Sequence, residues 1–305
     1  MKTVMKILLT GANGLVGSSL PTQLNLSSKN DLDLRDRNRV FDYFSEHKPD
    51  AVIHTAAKVG GLGANMNFMS DFYSDNILIN TNVLDAAQRN GIEQVVSFLS
   101  TCIFPDDMQY PLTEDMLHEG PPHASNFGYA YAKRMLEVQS KAISVQHGLG
   151  YSCVIPTNIY GPNDNFSLES GHVIPSLIHK CYLAEKYGTD FVVWGSGKPL
   201  REFIFSYDVG ELVEMLMDRY RTPYTVILSP SEEVSIGHVA YIIAEAMGFK
   251  GKIVYDTTKS DGQFRKPTCN KKLQSLIPDY EFTPLEEGIQ FTVDWFKENY
   301  QTCRK

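Results

Sequence analysis

The chain is poor in cysteine. Its 305 residues hold five, Cys102, Cys153, Cys181, Cys269 and Cys303, and no two stand in a C-x-x-C spacing. An odd, scattered set gives no disulfide framework and no zinc site, so reduced thiols of a cytoplasmic protein are expected, and no metal. Positive charge is also short: 28 Lys and Arg face 36 Asp and Glu, a formal net charge of −8. That balance argues against a nucleic-acid partner, and it obliges any anionic ligand to find a local basic cluster. No apolar run reaches membrane-spanning length, so no membrane partner is expected. The opening "MKTVMKILLTGANG" has a short apolar run that leads straight into a glycine loop. It reads as a first strand rather than a leader. No linker and no repeat interrupts the chain, whose length suits two domains or one large domain with a cap.

What the sequence does have is alternation. "VMKILLTGANGLVGSSL" is a strand, then Gly11, Gly14 and Gly17, then a helical start. Glycines at that spacing allow a sharp turn and close approach of the backbone to a pyrophosphate. Pro21 falls where the first helix should still be running, so that helix is expected to be short, with a brief strand near "QLNLSS". No acidic residue ends that strand. Ser27, Ser28 and Lys29 stand there instead, a set that suits a ribose 2′-phosphate and favours NADP over NAD. Asp33 and Leu34 are expected where an adenine edge would lie. "RNRVFDYFSEHK" reads as a helix, "DAVIHTAA" as a buried strand, "KVGGLGANMN" as a flexible glycine loop, "SDFYSDNILINTNVLDAAQRNG" as a long helix closed by Gly91, and "IEQVVSFLS" as another buried strand. Near-continuous apolar strands between helices predict an α/β fold: a doubly wound, mostly parallel Rossmann sheet, with a smaller mixed α/β C-terminal lobe for substrate. The expected division is 1–160 for the dinucleotide domain and 161–305 for an interleaved substrate lobe, some of whose later strands and helices return to the sheet. Ligands of such sheets lie at the carboxyl ends of the strands, where Ser100, Thr101 and Cys102 are found.

"FGYAYAKRMLEVQSKA" has helical character, and its Tyr129 and Lys133, four apart, share a face. A phenol is a poor acid or base at neutral pH, and a neighbouring ammonium is expected to lower its pKa. Tyr131 has no lysine on its own face.

With these residues in place the chain resembles the extended short-chain dehydrogenase/reductase superfamily. Within it, the chain is similar to the family that epimerises and reduces GDP-4-keto-6-deoxy-mannose. The matching stretches are "TGANGLVG", "AAKVGGLGAN", "LSTCIFP", "GYAYAKRM", "IPTNIYGPNDNF", "GHVIPSLIHK", "VWGSGKPLREFIFSYD" and "TTKSDGQFRK". Related sugar-nucleotide dehydratases carry an acidic pair after the strand-end threonine. Cys102 and Ile103 stand there in this chain, so β-elimination lacks its acid and base. A thiol can instead move a proton to and from a carbon beside a ketone. The resemblance implies His172 as the partner on the opposite sugar face, Tyr129 as proton donor in a reduction of C4 by NADPH, Lys133 as its helper, and Ser100 or Thr101 on the carbonyl.

For the cofactor the reading gives Gly11, Asn13, Gly14, Leu15, Val16 and Gly17 in the first loop. Lys29, Asp33 and Leu34 follow at the adenosine end. Leu99, Ser100, Lys133, Pro156, Asn158, Ile159 and His172 lie near the nicotinamide. Lys180, Trp194, Arg201 and Asp261 are implied for the GDP part, with Arg265 nearby, and Asn163 and Asn165 near sugar hydroxyls. His54 reads as structural. A homodimer through the helices at 70–90 and 127–147 is implied by the resemblance alone. The readings set against this one are a sugar-nucleotide 4-epimerase that keeps its NAD, and a protein that has lost its chemistry. The first has no need of Cys102 and His172, and the second would not be expected to keep both Tyr129 and Lys133.

Overall fold

Val-, Ile- and Leu-rich strands fill the middle of the molecule because both of their faces are covered by helices. The structure, a computed structural model, describes residues 5–20, 22, 24–26 and 30–305. The first half runs β1 (Ile7–Thr10), β2 (Leu24–Leu26), α1 (Arg37–His47), β3 (Ala51–His54), α2 (Leu62–Asn67), α3 (Met69–Arg89), β4 (Gln94–Phe98), α4 (Phe127–His147) and β5 (Gly150–Pro156). The second half continues with β6 (Asn158–Tyr160), α5 (Val173–Tyr187), β7 (Phe191–Trp194), β8 (Leu200–Arg201), β9 (Phe203–Phe205), α6 (Ser206–Arg219) and β10 (Thr225–Leu228). Then come β11 (Val234–Ser235), α7 (Ile236–Met247), β12 (Ile253–Asp256), α8 (Lys271–Leu276) and α9 (Leu285–Asn299).

Six strands form one sheet in the order β10-β5-β4-β3-β1-β2, and every pairing in it is parallel. The expected doubly wound Rossmann sheet is therefore present. Residues of β3, β4 and β5 are buried throughout, which is why they read as unbroken apolar runs rather than alternating ones. The chain reverses direction of travel between β1 and β3, and the glycine loop after β1 opens at that crevice. One core lies on the face of α1, α3 and α4, around Phe44, Val83 and Leu136. The other lies under α6 and α8, around Leu9, Val209 and Leu273. A third cluster, including Phe166, Phe191, Val239 and Phe296, binds α5, α7 and α9 to the pair β7 and β12.

Two segments differ from the sequence reading. Most of "KVGGLGANMN" is not a loop: Leu62–Asn67 is helical, because the Asn65 amide donates to the carbonyls of Gly60 (2.7 Å) and Gly61 (3.1 Å) and fastens the turn. Among the described residues the first crossover, expected to hold a short helix, holds a 3-10 turn at Gly17–Ser19. Pro21, which should stop that helix, lies outside the described residues.

Candidate active site

The glycine loop is built by backbone geometry. Gly11 has φ +76°, and a Cβ there would lie 2.7 Å from Thr55 Oγ1 and 2.9 Å from Ala56 N. A Cβ at Gly17 would stand 2.2 Å from the Gly11 carbonyl. Only glycine fits at these two positions. The N–H groups of Gly11 and Ala12 donate to Leu26 O, and that of Gly14 to Gly11 O. Those of Asn13, Leu15 and Val16 have no acceptor among the described residues. Asn13 is also part of the wall of a cavity of about 340 Å³, with Ala12, Gly17, Ser18, Asn25 and Tyr207. A loop of free donors at a strand end fits a dinucleotide pyrophosphate. Lys29, expected at the 2′-phosphate, lies outside the described residues. Leu34 is 8% exposed and packs its side chain into the core. Asp33 is engaged by Arg35, at 2.9 Å through Nε and 2.7 Å through Nη2.

At the end of β4 the chain turns through Ser100, whose hydroxyl accepts the Cys102 N–H at 3.4 Å. Cys102 is half-buried in a 3-10 turn, Thr101–Ile103. Tyr129 and Lys133 reach the same place from the first turns of α4. Lys133 is 2% exposed and donates to Phe98 O at 2.7 Å, with Nζ 5.9 Å from the Tyr129 ring centre. Burial pushes this ammonium down to about 8. Burial likewise pushes the Cys102 thiol up, against the pull of the Ser100 hydroxyl and of the Lys266 and Lys133 charges.

The expected lowering of the Tyr129 phenol is not found. Burial, then the neighbouring Cys102, hold it well above the ordinary value. The reason is that the cost of burying a phenolate here outweighs the pull of the neighbouring ammonium, which also donates to the Phe98 carbonyl. Ser100, Cys102, Tyr129 and Lys133 thus form one cluster. Beneath it His54 is fully buried between Thr10 Oγ1 (2.8 Å) and Asn80 Oδ1 (3.1 Å). Burial and Lys133 push it down to about 3, so it is a neutral structural residue, as expected.

His172 stands on another element, as the residue before the first turn of α5. Its loop reaches the cluster through packing. Gly61 lies against Ser170, Gly60 against Phe72, and Phe72 meets Tyr129 edge-on at 6.5 Å. His172 Nδ1 lies 3.9 Å from Asp164 Oδ1. The Asp164 carboxylate raises the imidazole above its ordinary value, with the Arg304 charge opposing it. Leu99 and Pro156 are buried at their strand ends and Ile159 is half-buried against the α6 face. Asn158 donates through both N–H (3.2 Å) and Nδ2 (2.7 Å) to Glu202 O.

The residues assigned to GDP fall into two groups. Lys180 Nζ sits 3.7 Å over the Trp194 ring, beside a cavity of about 200 Å³ that both help line. Burial brings Lys180 down to about 8. Asp261 is fully engaged as a turn acceptor, taking Ser196 N–H at 2.6 Å and Ser196 Oγ–H at 2.8 Å. Arg265 is exposed and paired with Glu233. Arg201 donates to Leu200 O at 2.7 Å and lies close enough to Lys266 for the two charges to repel. Asn163 is exposed, and Asn165 Nδ2 is bound to Ser170 O at 3.2 Å.

Three participants were missed. Lys266 closes on Cys102 and was quoted only within "QFRK". Asp164 stands between the two asparagines singled out in "NDNF". Glu202, 2% exposed, accepts from Thr268 N (2.9 Å), Thr268 Oγ1 (2.6 Å) and Ser229 Oγ (2.9 Å). It thereby ties the strand after Arg201 to the segment after Lys266. The stretches themselves carried the signal for the first two; nothing local marks Glu202.

The chain belongs to the NAD dependent epimerase/dehydratase family, whose model matches residues 7–228. It is 47% identical to the GDP-L-fucose synthase of Dictyostelium discoideum over 311 residues, covering 98% of this chain and 97% of the relative. It is 33% identical to GDP-L-fucose synthase of Escherichia coli, covering 98% of each. A GDP-L-fucose synthetase from Naegleria fowleri, solved bound to NADP, superposes with a TM-score of 0.94 at 44% identity, covering 100% of this chain and 96% of that one. Within the wider family, then, the chain is a member of the GDP-L-fucose synthases.

Proposed function

We propose that this chain epimerises C3 and C5 of GDP-4-keto-6-deoxy-D-mannose and reduces C4 with NADPH, giving GDP-L-fucose. The observation that carries the reading is the Cys102 thiol packed beside Tyr129 and Lys133 at the end of β4. It stands where a dehydratase would need carboxylates. NADPH supplies the hydride that reaches C4.

The ketone acidifies C3–H and C5–H. Cys102 removes each proton from one face, and His172 returns a proton to the other. A buried thiol resists ionising, and the ammonium groups of Lys133 and Lys266 bring its thiolate within reach. Tyr129, kept protonated by its burial, suits proton donation to the C4 oxygen, which Ser100 holds. Lys133 is placed to bind the nicotinamide ribose as well. The open donors of Asn13, Leu15 and Val16 receive the pyrophosphate. Lys180, Trp194 and Arg201 hold the GDP part by charge and ring contact.

We divide the chain near residue 160, with β10 and α6 of the later part completing the dinucleotide domain. Exposed Tyr73 and Leu78 on α3, with Met135 and Val138 on α4, support a homodimer through these two helices. Five free thiols support a cytoplasmic setting. No helix among the described residues is long and apolar enough to cross a membrane.

The test is incubation with GDP-4-keto-6-deoxy-D-mannose and NADPH, followed by nicotinamide absorbance and NMR of the product. Stoichiometric NADPH oxidation with inversion at C3 and C5 is expected. Reduction without inversion, or turnover with no net NADPH loss, would overturn the reading.

A further inference from the structure

The loop between β6 and α5 holds a buried carboxylate that the chemistry above leaves unused. Asp164 is 2% exposed. Its Oδ1 accepts the Asn165 N–H at 2.6 Å. Its Oδ2 is buried without a hydrogen-bond partner among the described residues. A buried carboxylate oxygen with no donor is costly, more so when the group is charged. The ring nitrogen that faces this carboxylate is Nδ1 of His172, 3.9 Å from its Oδ1. The imidazole is 65% exposed, so it has room to rotate the remaining distance, and water reaches it.

We infer that Asp164 is the positioning residue of His172: it accepts the Nδ1–H, fixes the tautomer and ring direction, and leaves Nε2 to face the sugar. The inference rests on the reading of His172 as the acid of the epimerisation.

The loop is anchored so that this pair keeps its place. Phe166 N–H donates to Arg304 O at 2.8 Å. The Phe166 carbonyl is met by His179 Nδ1 at 2.8 Å, and its ring lies 4.6 Å from that of Phe296. Residues on either side of Phe166 therefore have little freedom, and the movement needed to close 3.9 Å to a hydrogen bond falls on the His172 side chain.

The proton balance is simple. The imidazolium Nε2–H bond breaks and the enolate electron pair forms the new C–H bond. The imidazole left behind is neutral, with its Nδ1–H still on Asp164. Solvent water restores the Nε2 proton and takes the one held by Cys102, so Asp164 never gains a proton. The charged groups facing His172 are Asp164, which favours the imidazolium, and Arg304, which opposes it.

Asp164→Asn keeps the shape and the acceptor for Asn165 N–H. Deuterium incorporation from solvent at C3 and C5 should fall about 10- to 100-fold near neutral pH, within the span that a positioned acid contributes. The alkaline limb of that rate should move to lower pH, because Arg304 then acts unopposed. NADPH affinity, read by fluorescence, should not change. Wild-type exchange with an unmoved limb overturns the inference.

His172→Gln separates the two levels. Lost exchange there, with full exchange in Asp164→Asn, sinks the pairing alone. Full exchange in His172→Gln sinks the underlying reading. Ring ¹⁵N shifts of His172 in the unmutated protein give a check independent of variant folding. The neutral ring should carry its proton on Nδ1, and a proton on Nε2 overturns the proposal.

Discussion

Replacing Lys133 with methionine should make the cofactor-free protein more stable while destroying its activity. The ammonium is 2% exposed, and burial moves it from 10.5 to about 8. A fall of this size, at about 1.36 kcal/mol for each pH unit, means that folding with the proton in place costs about 3 kcal/mol at neutral pH. Methionine has nearly the same length and carries no such penalty. It also loses the hydrogen bond to Phe98 O, about 1.5–3 kcal/mol for a charged donor. The net expectation is a gain of about 1 kcal/mol at pH 7.

The sign over pH follows from proton counting. Below pH 8 folded and unfolded chains both hold the proton, and the folded state bears the full cost. Between about 8 and 10.5 the unfolded chain binds more protons, so this group's contribution to stability rises with pH. The variant's advantage should therefore shrink across that window. Urea melts of both proteins at several pH values, taken without cofactor, measure it. NADPH oxidation by the variant should fall by at least about 100-fold, because the group beside Tyr129 is lost. A variant clearly less stable than the parent at pH 7, with the same difference at pH 10, would refute the reasoning that a buried, desolvated charge sits at this position.

Cys102→Ser should abolish solvent-deuterium exchange at C3 and C5 while NADPH binding stays intact; persistent exchange, followed by NMR, removes the thiol from the mechanism. Gly17→Ala puts a Cβ 2.2 Å from the Gly11 carbonyl, and the forced loop shift should weaken NADPH binding about tenfold or more in a fluorescence titration; unchanged affinity would mean that the loop does not hold the dinucleotide. Glu202→Ala strands the Thr268 N–H and two hydroxyls in a buried site, and a loss of about 3 kcal/mol in denaturant melts is expected; a loss under about 1 kcal/mol would show that these donors find water instead.

The parallel sheet was legible because β3, β4 and β5 are buried on both faces, and no polar alternation disguises them. Tyr129 and Lys133 were legible because helical spacing alone brings them to one face. The groups that set their chemistry were not. Glu202 and Thr268 meet across 66 residues, and the charge of Lys266 reaches Cys102 from a segment more than 150 residues downstream; such contacts leave no trace in local pattern. The Tyr129 phenol was misjudged for a related reason. Spacing shows that Lys133 is a neighbour, but not that both groups are buried deeply enough for desolvation to hold the phenol up. The turn at Leu62–Asn67 was hidden by its glycines, since the Asn65 side chain rather than helix propensity holds it.

Among the described residues the passage from β1 to β2 holds one 3-10 turn, and this bears on the proposed turnover. A full helix aims several aligned peptide dipoles at a bound pyrophosphate, with an effect near half a charge. One short turn offers much less, so on the proposed assignment of this loop to the pyrophosphate the grip would depend on a few separate amide contacts. Spent dinucleotide held that way would dissociate sooner. An enzyme that oxidises its nicotinamide once per product molecule must trade it for a fresh one every cycle, and a light hold suits that trade better than permanent storage.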